Sequence, residues 1–203
     1  MWSKLLIIFG VISLLIGVFV LILTFLPVIE NEIQYNKIKD QDVVILEHEE
    51  NTVTGVETLL VEDSDFGIVI PKIRANASVI QNVDPNDRDI YQRALTRGVA
   101  HASGTPLPEE GGNTFIFSHS SVNFFDASRY NSIFYLLNKL ENGDEIFIYR
   151  NGDKYSYSVV NTALVDPDEV RYMQSSDKGE LTLMTCWPAG TTYKRLIVSA
   201  DLL

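Results

Sequence analysis

The sequence predicts a mainly β domain, an antiparallel sheet of seven or eight strands that is closed or sandwiched, with two or three short helices, behind one transmembrane helix. Three observations carry this. Short runs rich in Val, Ile, Phe, Tyr and Thr recur beyond residue 65, bounded by Gly, Pro, Asn or Asp. Helical periodicity is confined to brief stretches between them. At the other end, residues 5–26, "LLIIFGVISLLIGVFVLILTFL", carry no charge.

That apolar stretch comes first. At about 1.5 Å per helical residue it covers roughly 33 Å, close to the ~30 Å hydrocarbon core of a bilayer. Pro27 ends the pattern, and "LPVIENEIQ" offers no small-residue cleavage site, which favours an uncleaved signal-anchor over 5–27. Lys4 and the α-amino group precede the span; Glu30 and Glu32 follow it. The positive-inside rule therefore places residues 1–4 in the cytoplasm and everything after Pro27 outside, giving a single-pass protein of the cell membrane.

Residues 28–65 read as an acidic extracytoplasmic stalk. Between Val28 and Phe66 stand 11 acidic and 2 basic side chains, so this stretch holds −9 of the chain's net −11. Nucleic acid is excluded as a partner, because phosphate neutralisation requires clustered Lys and Arg.

The β domain occupies 66–203. "FGIVIPKI" and "ASVIQNV" are its first strands, broken at Pro71. "DPNDRDIYQRALTRG" predicts a helix with Asp84 as cap, Pro85 early and Gly98 as stop. "VAHASGTPLPEEGGN" reads as a surface loop and "TFIFSHS" as a strand running into polar residues. In "NSIFYLLNKLENGD", Ile133, Leu136, Leu137 and Leu140 fall on one helical face. "EIFIYRNGDKYSYSVV" is a hairpin turning at Asn151-Gly152, with its second strand reaching Val165. A short helix is expected around residues 168–174, then the strands "LTLMTC" and "KRLIVSADL".

Cys186, the single cysteine, ends one of those last strands, and Arg195 opens the other. One cysteine forms no internal disulfide, and a spare thiol outside the cell is liable to oxidation, so its retention favours use. A thiol nucleophile needs a histidine to deprotonate it and a cation for the oxyanion. His119 ends a third strand; His101 lies in the Gly/Pro loop and is the rival base, while His48 falls in the stalk. Lys194 competes with Arg195, since strand alternation turns one of them toward the thiol. Trp187 and Pro188 either line a groove or pack the turn. No Cys, His or carboxylate cluster has metal-ligand spacing.

"LTLMTC" followed by "KRLIV" resembles the sortase signature, T-L-x-T-C with an Arg on the next strand. "RGVAHASGTPLPEEGGNTFIFSHS" is similar to the same family's His, G-T, P and G-N loop, which runs into a strand ending in the catalytic His. The resemblance covers roughly residues 66–203 and implies a closed antiparallel or mixed β-barrel of about eight strands. It implies Cys186 as nucleophile, His119 as general acid/base, Arg195 as the oxyanion or substrate-positioning group, and Thr185 as a substrate-holding residue. The family often has Gly before this His, where this chain has Ser118. "VEDSDF" in the stalk is loosely like the lid motifs of some pilus-type members.

The implied function is a membrane-anchored cysteine transpeptidase. It cleaves an LPXTG-like C-terminal sorting motif of an exported protein through a Cys thioester. It then passes the acyl group to an amine of a cell-wall precursor or pilus-type subunit. No cofactor is implied, and the dispersed acidic residues leave calcium open. Two alternatives remain: a non-catalytic envelope β-barrel that binds a partner, with Cys186 inert, and a cysteine hydrolase on the same scaffold.

Overall fold

Asn151 and Gly152 both take positive φ, 52° and 85°, the backbone a two-residue hairpin turn demands. They join β7 (Glu145–Arg150) to β8 (Asp153–Val165) in the expected register, with Arg150 opposite Asp153. The structure is a computed structural model that describes residues 2–38, 43–46, 57–120, 133–174 and 177–203. His48 lies outside the described residues.

The chain divides into Met1–Asp40 and Gln41–Leu203. The first unit is the helix α1 (Trp2–Ile38), which continues through Pro27 to Ile38. Proline removes one backbone donor, and the Glu-, Gln- and Ile-containing sequence after it sustains the helix. Across residues 6–22 every residue is exposed, and all but Ser13 are apolar. Among the described residues no helix is long and apolar enough to cross a membrane. The expected span at 5–26 extends beyond that run at both ends, onto side chains outside the described set.

The second unit holds two sheets. β1 (Val43–Leu46) and β2 (Glu57–Leu60) form a parallel pair inside what the sequence presents as stalk. Ile45, Leu59 and Val61 pack against Val69, Phe147 and Tyr149 of the larger sheet, and the Asn76 side chain ties down Leu60 O and Glu62 N. The larger sheet adds β3 (Phe66–Ile70), β4 (Ala75–Val83), β5 (Val99–Ala102), β6 (Asn113–Phe117), β9 (Glu180–Trp187) and β10 (Lys194–Leu202). It closes into an eight-stranded barrel in the order β10-β8-β7-β3-β4-β5-β6-β9, with β4–β5 and β6–β9 parallel and the other pairs antiparallel. The expected closed mixed barrel of about eight strands is borne out.

Three elements differ from expectation. Val99–Ala102, expected as loop, is a wholly buried strand. Its "VAHA" is too short and too small-sided to show a β pattern, yet Ala100 and Ala102 suit the tight space beneath the helix α2 (Arg88–Leu95). Residues 133–139 form turns and a 3₁₀ turn at Leu137–Lys139 in place of an α-helix. The buried side chains there are Phe134, Leu137 and Leu140, spaced every third residue as a 3₁₀ period requires. A similar short turn, Arg171–Met173, replaces the helix at 168–174. Helix α2 itself is capped by Asp87, which accepts hydrogen bonds from Asp89 N and Ile90 N, while Asp84 caps the preceding turn through Asn86 N.

Which face of the wall points inward follows from contacts between strands that are not neighbours. Thr114 on β6 hydrogen-bonds Tyr157 on β8, and the His101 ring on β5 lies 6.0 Å from that of Phe66 on β3. Burial pushes the Tyr157 hydroxyl up to about 12. Thr114, Ile116 and His101 therefore face the lumen, and Phe115 and Phe117 face outward beneath α2.

Candidate active site

Strand register assembles the site. Cys186 on β9 sits directly opposite Arg195 on β10, and opposed residues share a face. Met184, two residues earlier, is opposite Phe117 on the parallel neighbour β6. The ladder extends one step beyond β6, since Ser118 N donates to Met184 O at 3.1 Å. His119 thus follows Phe117 at the end of that strand, just as Cys186 follows Met184. Cys186, His119 and Arg195 line one open groove of about 500 Å³, together with Phe117, Ser118, Ser120, Met184 and Thr185.

Thr185, on the opposite parity to Cys186, is buried, and its Oγ1 donates to Ser118 O at 3.0 Å. That bond clips the residue before the thiol to the residue before the histidine. Cys186 itself is half-buried and reachable from the groove, unlike a packing cysteine. Arg195 Nη1 donates to Thr192 O and Lys194 O, each at 3.2 Å, which fixes one side of the guanidinium at the groove. The Ser118 hydroxyl is buried and has no hydrogen-bond partner among the described residues.

The rivals fall away by geometry. Lys194 opposes Trp187, projects from the other face, and gives its Nζ to Asp166 Oδ1 at 2.7 Å. The hydrogen bond from Lys194 to Asp166 also holds its ammonium above the usual lysine range. His101 faces the lumen, 3 % exposed, with Nδ1 accepting from Asn82 N and Nε2 within reach of Thr105 Oγ1 and Pro106 O. Burial depresses its pKa. Trp187 and Pro188 are not among the groove's described lining residues, and neither is any of Val61–Phe66, the lid-like stretch. No group of three or more metal-ligating side chains stands together among the described residues.

One wall of the groove was not foreseen. Arg88, Tyr91 and Gln92 reach it from α2, with Pro85 just before the helix. With Leu95 they form an i, i+3, i+4, i+7 stripe, the face a helix normally packs on its core. Leu95 is buried and Tyr91 packs edge-on to Phe117, ring centroids 6.4 Å apart. Polar residues on a core-facing stripe were the available signal.

The sortase domain pattern matches residues 68–203. The chain belongs to the sortase family. It is 28 % identical over 133 residues to "Sortase D" of Bacillus subtilis, covering 64 % of this chain and 59 % of that relative. Among solved structures, sortase C-1 of Actinomyces oris superposes with a TM-score of 0.58 at 27 % identity, over 70 % of this chain and 75 % of that one. Sortase C of Clostridium perfringens, solved with the C-terminal cell wall sorting motif, gives a TM-score of 0.56 at 25 % identity, over 70 % and 73 %. The sortase domain of this chain includes all three groove residues that its sequence singles out for chemistry.

Proposed function

We propose that this sortase is a membrane-anchored cysteine transpeptidase acting on a C-terminal sorting motif of exported proteins. The observation that carries the reading is the register that sets Cys186 opposite Arg195, with His119 emerging from the neighbouring parallel strand into the same groove. The likeness to a sortase C solved with the C-terminal cell wall sorting motif supports the substrate class.

The Cys186 thiolate attacks the scissile carbonyl carbon, and the developing oxyanion is held by the Arg195 guanidinium. Collapse expels the amine, which takes its proton from His119, leaving an acyl group on Sγ as a thioester. An incoming amine then attacks that thioester, surrenders a proton to His119, and releases the thiolate. The sequence of steps uses no cofactor. Thr185, by clipping the two strands together, holds Cys186 and His119 at a fixed separation.

The acyl acceptor is an amine of a cell-wall precursor or pilus-type subunit. The apolar, exposed run over residues 6–22 of α1 supports the single span, and Lys4 before it with Glu30 and Glu32 after it supports the barrel lying outside the cell.

Incubating the full chain in detergent with an LPETG peptide and triglycine, followed by mass spectrometry, tests the reaction. Cys186→Ala abolishes the peptide–amine conjugate while circular dichroism stays unchanged. His119→Ala and Arg195→Ala each lower kcat/KM by about 10²-fold or more. Hydrolysis without conjugate would favour the hydrolase alternative. An unreactive Cys186 in the folded chain would favour the binding module, against which its partial exposure in the groove already counts.

A further inference from the structure

The groove inverts the charge of the protein around it. The chain carries 27 acidic and 16 basic side chains, yet the described lining residues include two arginines, Arg88 and Arg195, and no carboxylate. Arg195 opposes Cys186 in register and is anchored to Thr192 O and Lys194 O. Arg88 is different: it stands on the opposite wall, exposed, with no hydrogen bond or ion pair among the described residues.

Its position is set by firm structure. Asp87 caps the helix one residue earlier, and Tyr91 and Leu95, one and two turns later, are packed on the barrel. Arg88 and Gln92 thus hold the first two turns of a core-facing stripe over open groove instead of over packing partners. Among the described residues, the neighbouring carboxylates form no ion pair with Arg88. Asp84 and Asp87 accept backbone hydrogen bonds of their own turns, and neither they nor Asp89 lines the groove.

We infer that Arg88 is a specificity-determining residue of this sortase that binds a carboxylate carried by one of its two substrates, the sorting motif or the accepting amine. This rests on the transpeptidase reading above and adds the chemistry that the α2 wall selects. A guanidinium fork matches a carboxylate bidentately, and Gln92, one turn on, supplies an amide to the same group. The carboxylate belongs either to an acidic side chain of the sorting motif or to the accepting amine.

The test uses the full chain in detergent and two matched pairs of probes. One pair is LPETG and LPQTG peptides, together with versions carrying Glu or Gln just outside either end. The other is meso-diaminopimelate and cadaverine, the same diamine with and without its carboxylates. Peptide binding is followed by fluorescence anisotropy in a Cys186→Ala background, and transfer by mass spectrometry. The wild type favours the carboxylate-bearing member of one pair by up to about fivefold, the upper end for an exposed ion pair. Arg88→Gln erases that preference and Arg88→Glu reverses it toward the uncharged member, while added salt weakens it in the wild type.

A preference confined to the peptides assigns the carboxylate to the sorting motif, and one confined to the diamines assigns it to the acceptor. Discrimination ratios that Arg88→Gln leaves unchanged in both pairs overturn the inference. Charge-dependent peptide binding without any transfer would count against the reaction and leave the Arg88 site standing.

Discussion

His101 is the residue whose chemistry the fold forbids rather than uses. Its Nδ1 accepts from the Asn82 amide, so the folded chain keeps the ring neutral, with the Nε2 proton shared toward Thr105 and Pro106. Burial lowers its pKa from 6.5, which means that below that value the unfolded chain binds a proton that the folded chain refuses. Stability therefore falls as pH drops through 6.5 toward the lower folded value. Glu110 and Arg150 are the charged groups acting on it. His101→Gln should flatten the acid limb of a thermal-melt series below about pH 6.5. An unchanged limb would place the acid sensitivity elsewhere. Thr185 is the opposite case, a small buried residue on which the site depends. Thr185→Val removes the bond to Ser118 O and should cost about 1–3 kcal/mol in chemical denaturation. Its kcat should fall further than its KM rises.

Among the secondary-structure elements, legibility followed length and contrast. Strands β7–β10 could be read closely because alternation, Asn151-Gly152 and the two flanking strands of the thiol each gave a local signal. Strand β5 could not, since "VAHA" owes its place to parallel pairing with β4, a contact nothing local announces. The same limit hid the α2 wall: Arg88 and Gln92 look like ordinary exposed helix positions until the barrel beneath them is known. Cys186, His119 and Arg195 could be brought together from sequence because each lies at or next to a strand end, with their roles implied by the family resemblance, whereas the separation of His101 from them depends on which face each strand shows. The β1–β2 pair went unseen inside an acidic segment. Asn76 is its clasp to β4, and Asn76→Ala should raise hydrogen exchange across residues 57–62 at least several-fold without lowering the melting temperature of the barrel by more than a few degrees. Equal protection in both forms would show that Leu59 and Val61 hold the pair unaided.

For the molecule as a whole, closure is the dominant fact, because a barrel has no open edge to pair with a neighbour. That suits a domain proposed to work crowded against a membrane. The proposed anchor has a direct check. Full-length chain mixed with phosphatidylglycerol-containing vesicles should float with them through a density gradient at 1 M salt, and a form lacking residues 1–38 should stay at the bottom. Flotation that salt abolishes would indicate surface adsorption and overturn the span.

The barrel's strand order also carries a timetable. Strands β3 to β8 alone make an open sheet, β8-β7-β3-β4-β5-β6, whose two borders are β8 and β6. The β9–β10 hairpin fills the gap between those borders, and it alone carries both the thiol and its guanidinium. Synthesis from the N-terminus delivers that hairpin after every other strand. On the proposed topology the thiol is thus the keystone of the arch, and a chain stalled short of residue 180 is a scaffold that holds His119 without Cys186 or Arg195.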